Sequence, residues 1–169
     1  MSRISAWQER ELKNTESLRL QTYDDATGKP VNRGDTYSVL TIGYGHTGPD
    51  VVPGLLITAV RAEELFKADV ARFERGVQDS LTKVATQAQF DAMVSLAYNI
   101  GIGQVEILNV QKPRGFRGST VLKEFNAGNV AAAAVAFIRW NKYQGKVNEG
   151  LVNRRAREIV RFMGGFGDG

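Results

Sequence analysis

Two acidic side chains and a hydroxyl stand in the first quarter of the chain in an order that suits acid-assisted bond cleavage. Glu16 comes first, Asp25 follows in the run Tyr23-Asp24-Asp25, and Thr41 opens the run Thr41-Ile42-Gly43-Tyr44-Gly45-His46-Thr47. Cleavage of a glycosidic bond needs one carboxylic acid to protonate the leaving oxygen, and a carboxylate or a positioned water on the other face of the sugar. Two carboxylates in unequal environments can divide that work, so Glu16 and Asp25 are the candidate pair.

Caps and turn residues predict the elements that must position these side chains. We expect a short helix from Ser5 to Lys13, leading to Glu16, and hairpin strands and turns from Thr22 to Thr47. Thr58 is expected to cap a long helix that runs to about Leu81.

The remainder of the chain is predicted to be helical. Thr86 begins a helix that Gly101 ends, Ser119 begins a short one, and two more follow. The helix that begins at Thr86 has a predicted apolar face made of Phe90, Met93, Val94 and Ala97. The three helices after it are placed at Ser119 to near Gly128, Val130 to Trp140 and about Val152 to Met163. The fold class is therefore α+β and mostly helical.

Length and composition indicate one compact domain over residues 1–169, in two lobes. We expect a small β lobe at about 15–57, a connecting helix at about 58–82, and a helical lobe at about 83–163 that includes the N-terminal helix. No internal repeat or low-complexity linker divides the chain.

Several other classes of site are disfavoured. Without cysteine and with His46 as the single histidine, a metal or cofactor site is not expected. Gly43 and Gly45 lack the third glycine of a nucleotide-binding loop. His46 is interpreted as structural, since the carboxylates already supply acid and base. The charged N-terminus, Met1 to Arg19, lacks the apolar core of a signal peptide or a membrane span.

The positive charge is concentrated at the C-terminal end. Residues 139–169 hold seven Lys or Arg and three Asp or Glu, a surplus equal to the net charge of +4 of the whole chain. One interpretation is that this surplus favours approach to an anionic polymer such as cell wall. The other is that the basic residues simply form the solvated face of a helix. Both interpretations stay open at this point.

The ordered motifs resemble the phage-type lysozymes of glycoside hydrolase family 24, and the resemblance covers most of the chain. The matching runs, in the family's order, are Glu16-Ser17-Leu18-Arg19-Leu20 with Tyr23 and Asp25, Thr41 to Thr47, Gln89 to Ser95 with Tyr98-Asn99-Ile100-Gly101, Arg139-Trp140, Gly145-Lys146-Val147, and Gly150-Leu151 with Arg154-Arg155 and Glu158. The resemblance implies a lysozyme-like fold with a catalytic set of glutamate, aspartate and threonine.

In this family the enzyme would be an inverting muramidase that cleaves peptidoglycan during host lysis. Glu16 would be the acid, while Asp25 and Thr41 would manage the attacking water. Arg154 is expected beside Glu16 as an orienting partner. The substrate-binding residues that the resemblance implies are Asn99, Arg139, Arg154 and His46.

The resemblance also implies partners and a location. We expect a monomer made in the host cytoplasm, with peptidoglycan as its partner and neither nucleic acid nor stable membrane insertion. Release to the cell wall would depend on a separate holin, and no cofactor is implied.

Ser17 stands where glycine is usual in the family, and two further departures from the family pattern matter. Thr41 lies sixteen positions after Asp25 instead of following after five intervening residues, and the extra length falls at residues 29–40. An insertion at a hairpin tip would leave both strand ends in place. A second insertion spans Gln104 to Arg114 and is expected to reshape one wall of the cleft.

Two alternatives remain from the sequence. A lytic transglycosylase breaks the same bond with one acid and no attacking water, which the displaced Thr41 makes worth testing. A non-catalytic cationic protein that binds wall or disturbs membranes would instead work through the basic final helix. The arginines of that helix are Arg154, Arg155, Arg157 and Arg161.

Overall fold

The computed structural model describes residues 2–103 and 115–166, which form six α-helices and two small antiparallel sheets. The helices are α1 (Ala6–Glu16), α2 (Ala59–Gln78), α3 (Gln87–Ile100), α4 (Thr120–Asn126), α5 (Val130–Ala136) and α6 (Glu149–Phe162). The strands are β1 (Arg19–Asp24), β2 (Leu40–Gly43), β3 (Lys142–Tyr143) and β4 (Lys146–Val147), and short 3-10 turns lie at Phe116–Gly118 and Phe137–Trp140. The expected mostly helical α+β class is confirmed.

The chain divides into two compact units. The sheet unit is Glu9–Ala71, and the helical unit is Met1–Gln8 together with Arg72–Gly169. None of the helices in the described ranges is long and apolar enough to cross a membrane.

Local capping signals place most helix ends where the sequence predicts them. Thr86 caps α3 through a capping box with Gln89, and Gly101 follows its last residue with a φ of 80°. Ser119 caps α4 by accepting a hydrogen bond from Leu122 N–H. Thr58 Oγ1 accepts a hydrogen bond of 3.1 Å from the backbone N–H three residues later, which caps α2.

Four helix boundaries differ from the prediction by three residues or more. Helix α1 continues to Glu16, α2 ends at Gln78, α5 ends at Ala136 and is followed by a 3-10 turn, and α6 begins at Glu149 instead of about Val152. The early start of α6 follows from Asn148, whose side chain accepts a hydrogen bond from Leu151 N–H. The β3–β4 hairpin, which directly precedes this cap, was not predicted.

The central strand of the sheet unit is β1. On one edge it pairs with β2, where Tyr23 lies opposite Thr41. On the other edge Thr22 N–H donates to Leu55 O at 3.0 Å, and Val31 N–H donates to Thr22 O at 3.0 Å. The first part of the insertion at residues 29–40 therefore returns along β1.

This arrangement preserves the pairing of the strand ends on either side of the insertion. The Val31 side chain is 3% exposed, so the inserted segment contributes a buried side chain to the sheet unit. The expectation that an insertion at the hairpin tip leaves both strand ends in place is confirmed by the pairing of Tyr23 with Thr41.

The core of the helical unit surrounds α3. The predicted apolar face of α3 is confirmed, because Phe90, Met93, Val94 and Ala97 are all buried. Aromatic side chains from five other segments pack into the same cluster, namely Phe73, Phe116, Phe125, Phe137 and Phe162. Trp140 is partly exposed and packs against this cluster.

The interpretation of α6 as a solvated basic face is wrong. Arg154, Arg155 and Arg161 are buried, and of the four arginines of the helix Arg157 has the exposed side chain. Buried guanidinium groups require partners, and the structure supplies them.

The partners of the buried arginines are two buried carboxylates. Arg155 Nε lies 2.7 Å from Glu158 Oε2, and Arg154 Nε lies 3.5 Å from Glu158 Oε1. Burial raises the pKa of Glu158, while the guanidinium groups of Arg155 and Arg154 oppose that rise. Arg161 donates to Asp91 Oδ2 through Nη2 at 2.6 Å and through Nε at 3.1 Å. These arginines are therefore internal partners of buried carboxylates, which weakens the case for a cationic membrane-active helix.

The insertion predicted at Gln104 to Arg114 lies outside the described residues.

Candidate active site

Glu16 is the last residue of α1, where the helix ends and the chain turns toward β1. One turn earlier, Lys13 Nζ donates hydrogen bonds to Glu9 Oε1 at 3.0 Å and to Glu63 Oε1 at 2.7 Å. Burial lowers the pKa of Lys13, but its bonds to Glu63 and Glu9 outweigh that effect and raise the pKa. Within the sheet unit, these bonds fasten the end of α1 that carries Glu16.

The turn between β2 and His46 comes close to the Glu16 carboxyl. Ile42 and His46 exchange two backbone hydrogen bonds, of 3.0 and 2.8 Å, around the three residues between them. Gly45 has a φ of 82°, and a Cβ atom added there would lie 3.1 Å from Glu16 Oε2. A side chain at this position would crowd the carboxyl group, so the glycine is required both by its conformation and by its neighbour.

The two adjacent aspartates have different environments. Asp24 is 5% exposed, and its Oδ1 accepts hydrogen bonds from Ser38 N–H at 2.9 Å and from Val39 N–H at 3.2 Å. These donors lower the pKa of Asp24, Ser38 contributing most, although burial acts in the opposite direction. Asp25 is exposed. Asp24 is thus the turn residue, and Asp25 is the carboxylate open to a ligand.

Thr41 lies on β2 with its side chain almost fully buried, at 2% exposure. Its Cα partner on β1 is Tyr23, and the register continues so that Asp25 N–H donates to Val39 O at 2.9 Å. Thr41 Oγ1 has no hydrogen-bond partner among the described residues. A buried hydroxyl without a partner is costly in a folded protein, and such groups call for a functional explanation.

Tyr23 links these groups electrostatically. Burial raises the pKa of its phenol, and the negative charges of Asp25 and Glu16 raise it further. The Arg19 guanidinium lies 4.9 Å from the centre of the Tyr23 ring and acts in the opposite direction. The sheet unit thus brings Glu16 and Asp25 to the surroundings of one phenol. From the sequence, Tyr23 is recognised only as part of a motif, because its nearness to both carboxylates depends on strand pairing.

His46 is held between two carboxylates of the sheet unit. Its Nδ1 lies 2.7 Å from Asp69 Oδ2, and its Nε2 lies 3.2 Å from Asp50 Oδ2. Asp69 is 6% exposed and stands on α2, more than twenty residues later, so no local signal pointed to it. No group of three or more His, Cys, Asp or Glu side chains within the described ranges is arranged to hold a metal ion. The geometry agrees with a structural histidine.

The other three residues assigned to substrate binding lie in the helical unit. Asn99 is exposed in the last turn of α3 and makes no side-chain hydrogen bond within the described residues. Arg139 is exposed and donates to Thr120 Oγ1 at 3.0 Å. Arg154 is buried, and its Nη2 donates to Ser95 O at 3.3 Å. The roles assigned to these three side chains stay predictions.

Comparison with known proteins decides the family. A family model described as phage lysozyme matches residues 13–158. The chain belongs to the phage lysozyme family. The matched range includes every residue of the candidate site.

Individual relatives of the family agree with this assignment. The endolysin of Salmonella phage P22 is 37% identical over 156 residues, a match that covers 90% of this chain and 92% of the relative. The endolysin of Bacillus phage PZA is 45% identical over 154 residues, covering 91% of this chain and 52% of the relative. The chain therefore spans about half the length of the Bacillus phage relatives that it matches.

A solved structure is similar over nearly its whole length. The muramidase domain of SpmX from Asticaccaulis excentricus is 31% identical, with a TM-score of 0.75 over 96% of this chain and 99% of that domain. The phage lysozyme fold is thus shared with a protein whose described domain is a muramidase.

Proposed function

We propose that this phage lysozyme is an inverting muramidase that hydrolyses the β-1,4 bond between N-acetylmuramic acid and N-acetylglucosamine in peptidoglycan. The observation that carries the proposal is the arrangement in the sheet unit, where Glu16 lies against the Gly45 turn, Asp25 is exposed just after the end of β1, and Thr41 lies opposite Tyr23. Two carboxyl groups in unlike surroundings suit the two roles of acid and base.

In the proposed reaction Glu16 donates its proton to the leaving glycosidic oxygen as the bond to the anomeric carbon breaks. A water on the opposite face of the sugar attacks that carbon, and Asp25 accepts the proton that the water loses. The Thr41 hydroxyl holds this water in line. An inverting geometry requires the two carboxyl groups to stand about 6.5 to 9.5 Å apart so that the water fits between them.

The proposal extends to the substrate and to the biological setting. Asn99 is assigned to the acetamido group or the peptide stem, and Arg139 and Arg154 complete the proposed substrate-binding set, whereas His46 is assigned a structural role. The protein would be a monomer made in the host cytoplasm, would need a separate holin to reach the peptidoglycan, and would lyse the host. The family assignment and the printed descriptions of the relatives support this setting.

Digestion of purified peptidoglycan followed by mass analysis tests the proposed reaction. Fragments that end in hydrated, reducing muramic acid are expected. Anhydro-muramic ends, lighter by one water, would instead assign the protein to the lytic transglycosylases. No fragments from a folded protein would overturn the enzymatic proposal and favour the non-catalytic wall-binding alternative.

A further inference from the structure

The second half of the insertion at residues 29–40 is held firmly beside the candidate catalytic carboxylate. Ser38 N–H and Val39 N–H both donate to Asp24 Oδ1, and Val39 O accepts a hydrogen bond of 2.9 Å from Asp25 N–H. Both polar backbone groups of Val39 are therefore bound to the two aspartates. A loop that is fixed at this point presents its side chains in a defined place next to Asp25.

The same segment exposes apolar surface at that place. Val39 is 47% exposed and Tyr37, two residues earlier, is 49% exposed. The register of β1 and β2 continues one pair beyond the strands, because Asp25 N–H donates to Val39 O, and opposite residues of an antiparallel pair project to one face. Val39 therefore lies beside Asp25, the proposed catalytic base.

We propose that Tyr37 and Val39 form an added sugar-binding platform, which contacts the apolar face of a pyranose ring of the glycan strand next to the bond that is cleaved. This inference rests on the proposed function. A tyrosine ring and an aliphatic side chain offer a flat apolar surface to the C–H groups of a sugar, while the phenol offers a polar edge to its hydroxyl or acetamido groups. The glycan is the favoured occupant because Val39 is bound through its backbone directly to Asp25, the proposed catalytic base.

The platform predicts a defect in substrate binding more than in chemistry. In Tyr37→Ala, KM for soluble peptidoglycan strands is expected to rise about fivefold or more, the size expected for loss of one aromatic contact. The value of kcat should stay within about twofold, since an interaction made equally in the ground and transition states affects KM alone. Tyr37→Trp, which keeps an aromatic ring, should have a KM close to that of the wild type. Val39→Ala should raise KM by less than Tyr37→Ala does.

Direct binding separates this inference from the proposed function. In the Glu16→Gln background, the affinity for an oligomer of N-acetylglucosamine, measured by titration calorimetry, is expected to fall with Tyr37→Ala by the same factor as KM rises. Val84→Ala is the matched control for Val39→Ala, because Val84 is 99% exposed and lies in the helical unit. This control should leave KM and oligomer affinity unchanged.

Three results would overturn the platform while leaving the muramidase proposal standing. The first is an active wild-type enzyme whose KM and oligomer affinity are unchanged by Tyr37→Ala. The second is a Tyr37→Ala variant that loses kcat with KM unchanged. The third is a concentration-dependent dimer of the wild type that Tyr37→Ala abolishes, which would assign the surface to a second copy of the chain. Absence of any wall cleavage by the wild type would contradict the proposed function itself.

Discussion

Asp24 Oδ1 accepts a hydrogen bond of 2.9 Å from the backbone N–H of Ser38, so the carboxylate that directly precedes Asp25 holds the inserted loop in place. The two neighbouring aspartates therefore have different roles, a structural one for Asp24 and the proposed catalytic one for Asp25. Asp24 is buried and bound by backbone donors, whereas Asp25 is exposed. A sequence of two acids does not reveal which one is structural, but the hydrogen bonds do.

The pH dependence of folding should carry the signature of Asp24. Because hydrogen bonds from Ser38 and Val39 lower its pKa in the folded state, its contribution to stability is present above the unfolded value of about 4 and is lost as pH falls through the folded pKa. Asp24→Asn is expected to be less stable than wild type near neutral pH, and the difference should shrink as the pH is lowered below about 4. Urea unfolding across this range measures it.

The control for this experiment is Asp79→Asn, since Asp79 is exposed just after the end of α2. Its stability should follow the wild type at every pH. An Asp24→Asn variant that loses the same free energy of unfolding at neutral and at acid pH would show that the carboxylate charge is not what holds the loop.

Ser17 stores backbone strain directly after Glu16. Its φ is 56°, in the left-handed region where a side chain costs about 1 to 2 kcal/mol relative to glycine. Because glycine loses more entropy on folding, Ser17→Gly is expected to raise the free energy of unfolding by up to about 1 kcal/mol. Chemical denaturation of Ser17→Gly and Ser17→Ala measures the effect. A glycine variant no more stable than the alanine variant would contradict this account of the strain.

The buried pair of Asp91 and Arg161 should be important to the stability of the helical unit. Asp91 is fully buried and also accepts hydrogen bonds from Ser5 Oγ at 2.6 Å and Ser5 N–H at 2.9 Å. Removing one partner of a buried ion pair leaves an unpaired charge, so Asp91→Ala is expected to cost about 3 to 5 kcal/mol in unfolding free energy.

A surface ion pair provides the comparison for Asp91. Arg61 and Glu64 lie 2.9 Å apart, but their side chains are 53% and 58% exposed. Glu64→Ala should therefore change the unfolding free energy by less than about 1 kcal/mol. If Asp91→Ala is too unstable to purify, the milder Asp91→Asn should still lie well below Glu64→Ala. Equal losses for the two sites would refute the assigned importance of burial.

Substitution of Thr41 should affect the stability and the activity of the protein differently. Its hydroxyl is buried without a hydrogen-bond partner among the described residues, so Thr41→Val, which keeps the side-chain shape, should leave stability unchanged or raised. The same variant should lose activity on peptidoglycan by about a hundredfold, because a misplaced water is costly to the reaction. Thermal unfolding and kcat, measured on one preparation, give both values. Full activity in Thr41→Val would remove Thr41 from the proposed mechanism.

The parts of the fold that could be predicted are those with local causes. The ends of α3 follow from Thr86, Gln89 and Gly101, which act within one turn of the helix. The buried face of α3 follows from its apolar period. By contrast, the start of α6 at Glu149 was missed because the apolar pattern begins later, although Asn148 already caps the helix.

The burial of the basic residues of α6 could not be predicted because one of their partners is distant in the chain. Arg161 binds Asp91, seventy positions earlier. An analysis of charge along the sequence assumes that such an arginine is exposed, whereas in the structure Arg161 is buried and forms an ion pair with Asp91. His46 is similar, since its contact with Asp69 depends on how α2 packs within the sheet unit. In the candidate site, motif order selects Glu16 and Asp25 as candidates, whereas the environment of Tyr23 depends on the strand register.

The most direct test of the central claim compares Glu16→Gln with wild type in the release of reducing ends from purified peptidoglycan. Glu64→Gln is the matched control, because it changes an exposed glutamate of the same unit. Glu16→Gln is expected to fold like the wild type by circular dichroism and thermal unfolding, and to lose activity by about 100-fold or more, as expected for loss of a general acid. Glu64→Gln should keep full activity. A folded Glu16→Gln variant that releases reducing ends at the wild-type rate would contradict the assignment of Glu16 as the acid.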